Sequence, residues 1–312
     1  MTPPRSGPAP DFDHFLLTRF SAVLAPGAPP AGADWLRYRL GFFYDATLPS
    51  VVSQTGALSE WLVLFDDRCP DDFRADVEDL AREGRFTPVW SHEPFRRDTF
   101  AGLVATLSRA PYLITTRLDS DDAIARDHLA AVQARFARQD RLFVNFVRGL
   151  QVDRGGAVYR SDQVSNPFLS LIERRTDGPP LTVYAPRHAR ARGHGPVLNV
   201  HAPPMWLQVV HDGNLLNMVT GPQIAPAVVR ERFDIDLGYR EQVGRLRLLG
   251  ERIRHRTRLT RMWLAHPGEA TRYAEARLTR WRRDHTVPQG DPDSLGDRLR
   301  RRAVRLGYRP RT

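Results

Sequence analysis

A chain of 312 residues with 41% hydrophobic content can build one large α/β domain with an appendage, or two domains. Its one cysteine, Cys69, excludes an internal disulfide framework and a cysteine-rich zinc site, and fits a reducing cytoplasm. The net charge is +10 and all 46 basic residues are arginine, a bias of composition that weakens any argument from charge alone to a nucleic-acid partner.

Residues 1–11 read as a disordered tail without the apolar run of a signal peptide. No segment approaches the ~20 apolar residues of a membrane span. The expected location is therefore cytoplasmic, with peripheral contact at the inner membrane face as the variant. Phe15-Leu16-Leu17 marks a first strand over residues 12–20, ending in Thr18-Arg19-Phe20. After a Pro/Gly/Ala loop, residues 35–44 mix aromatics with arginines. Thr47-Leu48-Pro49-Ser50 reads as a helix start with proline in the first turn. Residues 61–65 form a second strand closed by Asp66-Asp67. A helix over 72–82, a strand over 86–90 and a helix over 99–108 follow.

The strand beginning at Tyr112 ends in Asp119, Asp121 and Asp122, three carboxylates within four positions. In an open α/β sheet, ligands bind at the carboxyl ends of strands. Hard oxygens clustered there suit Mg²⁺ or Mn²⁺, which in turn hold phosphates. Helix capping by Ser120 or Asp121 is the alternative, with a helix expected over 123–138. A third adjacent carboxylate, however, costs repulsion unless a cation compensates. Further on come a strand over 142–146, a hairpin over 149–159 turning at Gly155-Gly156, a helix over 166–173, a short strand over 182–184 running to His188, a loop over 192–204 and a strand over 205–210 ending in His211. Beyond Pro226 the pattern is helical and arginine-rich. Alternating strands and helices predict a doubly wound, mostly parallel sheet flanked by helices. The absence of a glycine-rich phosphate loop disfavours dinucleotide oxidoreductases and P-loop enzymes.

The ordered set Thr18-Arg19-Phe20, Thr47-Leu48-Pro49-Ser50 with Gln54, Trp61-Leu62-Val63-Leu64-Phe65-Asp66-Asp67, Arg117-Leu118-Asp119-Ser120-Asp121-Asp122, the segment from Asn166 to Glu173, Thr182-Val183-Tyr184 with His188, and the strand from Trp206 to His211 resembles a rhamnosyl transferase family of bacterial glycosyltransferases with a GT-A fold. The resemblance covers residues 12–219. It implies a catalytic domain over 12–225; the basic helical region over 226–312, read from its pattern, lies outside the resemblance. It also implies a dTDP- or UDP-sugar donor, a glycan or lipid-linked acceptor, Mg²⁺ or Mn²⁺ as cofactor, and no nucleic acid.

Carried onto this chain, the resemblance makes Asp119 and Asp121 the metal element, with His211 as a late metal ligand. His188 and His201 are weaker candidates for that place. Thr18 and Arg19 fall where the nucleoside lies. Asp66, Arg117, Asp119 and Asp122 are expected at the donor, with Asp67 beside Asp66. Glu173 and Asp212 are the candidate general bases, with Asp162 as a further carboxylate and an exposed helical place beside Arg174 and Arg175 as the alternative for Glu173; Trp206 reads first as a core residue, with sugar stacking as the alternative. The basic C-terminal stretch, with Val243, Leu246, Leu249, Ile253, Met262 and Trp263, reads as helices that pack on the catalytic domain or rest on an anionic membrane. Other divalent-metal phosphate enzymes, a nucleotidyltransferase or a phosphohydrolase, are the competing class, and a basic nucleic-acid-binding protein is the third and weaker reading.

Overall fold

The computed structural model describes residues 11–238, apart from 85, 154, 187, 212–218 and 220, together with positions 250, 253 and 257. The chain divides into two units, Met1–Gly244 and Arg245–Thr312, and the fold described here lies within the first. Asp212, the N-terminal tail up to residue 10 and the C-terminal helices beyond 238 fall outside the described residues, Ile253 excepted.

In chain order the elements are β1 (Phe12–Arg19), α1 (Ala33–Phe42), which continues through a π-helical turn (Phe43–Thr47) into α2 (Leu48–Val52), β2 (Glu60–Phe65), α3 (Asp71–Gly84), β3 (Thr87–Trp90), α4 (Thr99–Leu107), β4 (Tyr112–Arg117), β5 (Ala123–Ile124), α5 (His128–Gln133), β6 (Arg141–Phe146), β7 (Arg148–Asp153), β8 (Val158–Asp162), β9 (Ser170–Arg174), a 3₁₀ turn (His188–Gly193), β10 (Val197–Val200), β11 (Trp206–Val210), β12 (Gln223–Ile224) and α6 (Ala227–Arg232). They build two sheets. The larger runs β10-β6-β9-β4-β1-β2-β3, and the smaller β12-β8-β7-β11-β5. Strands β3, β2, β1 and β4 are parallel neighbours. β9 runs antiparallel between β4 and β6. The architecture is thus a mixed α/β fold around a parallel-rich sheet, as expected.

Burial on both faces explains why the central strands are continuous apolar runs rather than alternating ones. Phe15, Leu16 and Leu17 of β1 and Trp61 to Phe65 of β2 are all at most 2% exposed. The helices do not all fall where periodicity placed them. Residues 123–138 supply only β5 and the short α5. Residues 166–173 supply β9 in place of a helix, because an apolar run of this length fits either state until its neighbours decide. Strand β9 is completed by hydrogen-bonded neighbours on both sides. Residues 182–184 form a turn rather than a strand, and Thr182 has φ +57°. That is a strained conformation for a β-branched residue. Among the described residues no helix is long and apolar enough to cross a membrane.

The two sheets meet through Trp206, which is fully buried, stacks on Phe168 at 4.9 Å and donates its indole N–H to the Phe146 carbonyl at 2.8 Å. It is a core residue, not a sugar platform. Its ring covers Gly149, where an added Cβ would lie 2.1 Å from the indole. Gly149→Ala is therefore expected to cost about 1–3 kcal/mol through overpacking. A fall in Tm of roughly 5 °C in a thermal melt is the corresponding reading for a chain this size. An unchanged melt would mean that the sheets do not close over this position.

Candidate functional site

The chain leaves the large sheet at the end of β4 and enters the small one at β5, so residues 118–122 form the crossover between them. The three aspartates lie in this turn. No helix follows them directly, since α5 begins only at His128. Helix capping therefore does not account for the cluster. Each carboxylate has its own partner. Asp119 accepts a forked pair of hydrogen bonds from Arg117 Nη2 at 2.8 and 3.0 Å, with Arg19 at 3.9 Å. Burial works against its charge, but Arg117 outweighs burial and holds the carboxyl below its usual range. Asp122 accepts the Val209 backbone N–H at 3.0 Å and gives its own carbonyl to Thr47 Oγ1 at 2.9 Å. Burial, then the neighbouring Asp121 and Asp119, push its carboxyl well above the ordinary range. It ties the turn to β11.

Asp121 has different neighbours. Its Oδ2 lies 2.9 Å from His211 Nε2 at the end of β11, and Arg39 Nη1 donates to the same oxygen at 2.6 Å. Arg39 Nη1 is also 3.3 Å from His211 Nε2, and Nη2 donates to Ser120 Oγ at 2.9 Å. Arg39 comes from α1, where Trp35, Tyr38, Arg39 and Phe42 share one face by their spacing. That whole stripe turns to the site. Phe42 stacks on His211 at 4.3 Å, Tyr38 meets the same ring edge-on at 5.6 Å, and the Arg39 guanidinium lies 5.6 Å over Trp35. Trp35 and Tyr38 remain about 40% exposed, so they form an aromatic rim. On the other flank, Arg19 and Arg117 lie over the Tyr184 ring at 5.2 and 5.3 Å.

The structure thus brings together Arg19, Arg117, Asp119, Asp121, Asp122 and His211 from the sequence-derived set, and adds Arg39, Trp35, Tyr38 and Tyr184. Several expected residues lie elsewhere. Thr18 is fully buried and accepts the Trp61 indole N–H at 3.0 Å, a core contact. Asp66 is held by Arg68, whose hydrogen bond keeps the carboxyl below its ordinary range. Asp162 pairs with Arg160 on β8. His201 is exposed, and His188 opens the 3₁₀ turn.

Glu173 requires a correction. It pairs in register with Leu113, four residues back from Arg117 along β4, about 13 Å of strand away from the aspartate turn. Its two oxygens accept the backbone N–H groups of Leu181 and Thr182 at 2.9 and 3.0 Å. Burial raises its carboxyl above the usual range against the pull of those two amides. Its work there is to hold the strained Thr182 turn. Glu173→Gln is expected to lower Tm while the pH–rate profile keeps its wild-type shape. Loss of the basic limb of that profile would return Glu173 to the reaction.

A divalent cation fits this site only in part. Adjacent ligands of an octahedral ion bound at ~2.1 Å lie ~3 Å apart, and the Asp121–His211 separation of 2.9 Å agrees. Yet the guanidinium of Arg39 already touches both atoms. Asp119 and Asp122 face other partners, and among the described residues no group of three metal-ligating side chains is present. As arranged, the residues do not fit a bound metal.

Residues 30–221 match the family model described as "Putative rhamnosyl transferase", more than half of the chain. The chain belongs to this rhamnosyl transferase family. The sequence matches no curated protein. Among solved structures it is similar to S. aureus TarS 1-349, 12% identical over 63% of this chain and 60% of that one, with a TM-score of 0.36. The same protein in complex with UDP-GlcNAc is 12% identical over 70% of this chain and 65% of that one, at 0.36. HddC from Yersinia pseudotuberculosis is 9% identical over 52% and 76%, at 0.29. The chain therefore spans 60% of the length of the first of these structures.

Proposed function

We propose that this rhamnosyl transferase family member moves a sugar, rhamnose by the family's description, from a nucleoside diphosphate donor to a hydroxyl of a glycan or lipid-linked acceptor. The observation that carries the reading is the buried Arg39–Asp121–His211 cluster at the carboxyl end of β4, where open α/β sheets bind ligands. Arginines beside it match the fork geometry of phosphate oxygens. Buried Nε groups of Arg19 and Arg39 have no hydrogen-bond partner among the described residues, so two donors beside the turn stand unanswered. The exposed faces of Trp35 and Tyr38 offer apolar surfaces for a pyranose ring at the mouth.

Calorimetry of the purified protein against UDP and dTDP tests the reading. Saturable binding of one of them, with a rise in Tm that follows mass action, is the expected result. Failure of both to bind would end it. In the same framework Trp35→Ala is expected to raise the acceptor KM about tenfold and to weaken nucleoside diphosphate binding by less, through the Arg39 guanidinium that lies over its ring. Equal loss of both would make Trp35 a residue of the general fold.

A further inference from the structure

The aspartate turn carries three carboxylates, and their mutual repulsion is the strongest reason to expect a metal there. Three guanidiniums answer two of them. Arg117 forks onto Asp119, Arg19 stands 3.9 Å from the same carboxylate, and Arg39 binds Asp121 at 2.6 Å. Asp119 and Asp121 thus have cationic partners before any ion is added, while Asp122 is held by the Val209 amide. The side chains of Arg39 and Arg117 are only 12% and 17% exposed, so these are fixed charges and not solvated surface ones. Arg39 is also pinned from several directions. Ser120 takes its second nitrogen, Trp35 lies under the guanidinium, and Phe42 of the same helix holds the His211 ring.

We infer that Arg39 fills the place of the divalent cation, and that this site binds and releases a nucleoside diphosphate without metal. The inference rests on the nucleotide-sugar reading above. In the transfer, the bond from the anomeric carbon to the β-phosphate oxygen breaks and its electron pair stays on that oxygen. The acceptor oxygen forms the new bond to the anomeric carbon, and its proton passes to solvent. The leaving diphosphate gains one negative charge. A guanidinium offers that charge forked hydrogen bonds in a part-buried site. Asp121 and Ser120 fix the direction of the fork, and His211 closes the triangle. Asp121 and His211 are thereby positioning residues for Arg39.

The test compares UDP and dTDP binding to the chelator-treated full chain in EDTA and in Mn²⁺ by calorimetry, with Mn²⁺ uptake followed separately by the paramagnetic resonance of the free ion. The wild-type protein is expected to bind the nucleotide with the same affinity, within about twofold, in both buffers, and to take up no Mn²⁺. Arg39→Lys, which keeps the charge and loses the fork, is expected to weaken nucleotide binding about tenfold in EDTA. Arg39→Ala, which frees Asp121 and His211, is expected to gain Mn²⁺ uptake. Wild-type binding that needs Mn²⁺ overturns the inference and leaves the transferase reading standing. Absence of nucleotide binding in both buffers overturns the two together. Because the decisive comparison uses wild-type protein, a variant that fails to fold does not blunt it.

Discussion

Asp121→Asn is expected to lower donor turnover by roughly a hundredfold or more. Asparagine keeps the volume of the side chain and one acceptor oxygen, but removes the charge that three elements share. Arg39 of α1 then loses its charged partner and keeps only neutral contacts such as Ser120 and Trp35, and His211 at the end of β11 loses the carboxylate 2.9 Å from its Nε2. The guanidinium is 12% exposed, so its unpaired charge also costs stability, and Tm should fall with the rate. The effect follows whether Asp121 holds a guanidinium or an ion, so this variant tests the place of the site and leaves the nature of its cation to the EDTA comparison. Nucleoside diphosphate release from the donor, measured beside a melt at the same pH, checks it. Turnover within about threefold of wild type would remove the aspartate turn from the reaction.

Acid is expected to unfold this protein early, through two histidines remote from the aspartate turn. His14 and His128 are fully buried, and burial lowers them from 6.5 to about 3 and about 4. His14 lies between Thr116 Oγ1 at 2.8 Å and the Gln133 amide at 3.0 Å. His128 Nδ1 faces the Met205 carbonyl at 2.9 Å. Below pH 6.5 the unfolded chain takes up a proton on each ring that the folded chain refuses. Stability is therefore full above pH 6.5 and is lost as the pH falls towards 4 and then 3. Between pH 6.5 and 5 each ring costs about 2 kcal/mol, at 1.36 kcal/mol per pH unit, so about 4 kcal/mol in all. Asp127 beside His128 and the raised carboxyl of Asp122 act the other way. Denaturant unfolding at pH 7 and pH 5 measures the sum. The double variant His14→Asn/His128→Asn should lose the slope. A wild-type difference under about 1 kcal/mol would mean the rings are charged in the folded state.

The central strands were legible because burial on both faces writes itself as short apolar runs of three or more residues, as in β1, β2, β4 and β6. The hairpin of β7 and β8 was legible from Gly155-Gly156. The aspartate turn and His211 stood out as polar residues at the ends of such runs, and the structure brings them together. Arg39 left no signal. One arginine among 46, on a helix whose aromatic stripe faces neither a core nor open water, gives no sign that it reaches a carboxylate 82 positions later. Glu173 was placed on a helix beside the site because Leu169-Ser170-Leu171-Ile172 allows helix or strand. Only pairing with β4 and β6, which is non-local, makes it a strand and carries the carboxylate to the far end. The turn at Thr182 was read as a strand because Thr-Val-Tyr favours one, but the amides gripped by Glu173 override that preference.

The three corners of the site, residues 39, 121 and 211, are separated by 82 and 90 positions of chain. During synthesis the aspartate turn leaves the ribosome long before β11 exists to supply His211 and to take the Asp122 carboxylate on the Val209 amide. Contacts this distant in sequence form late, after shorter loops have closed. A nascent chain stopped short of β11 thus holds the large sheet's parallel strands but only two corners of the triangle. Competence to bind a nucleotide should arrive in one step, when the second sheet docks, and truncation or stalling products ending before that point should be inert bystanders, unable to sequester the donor.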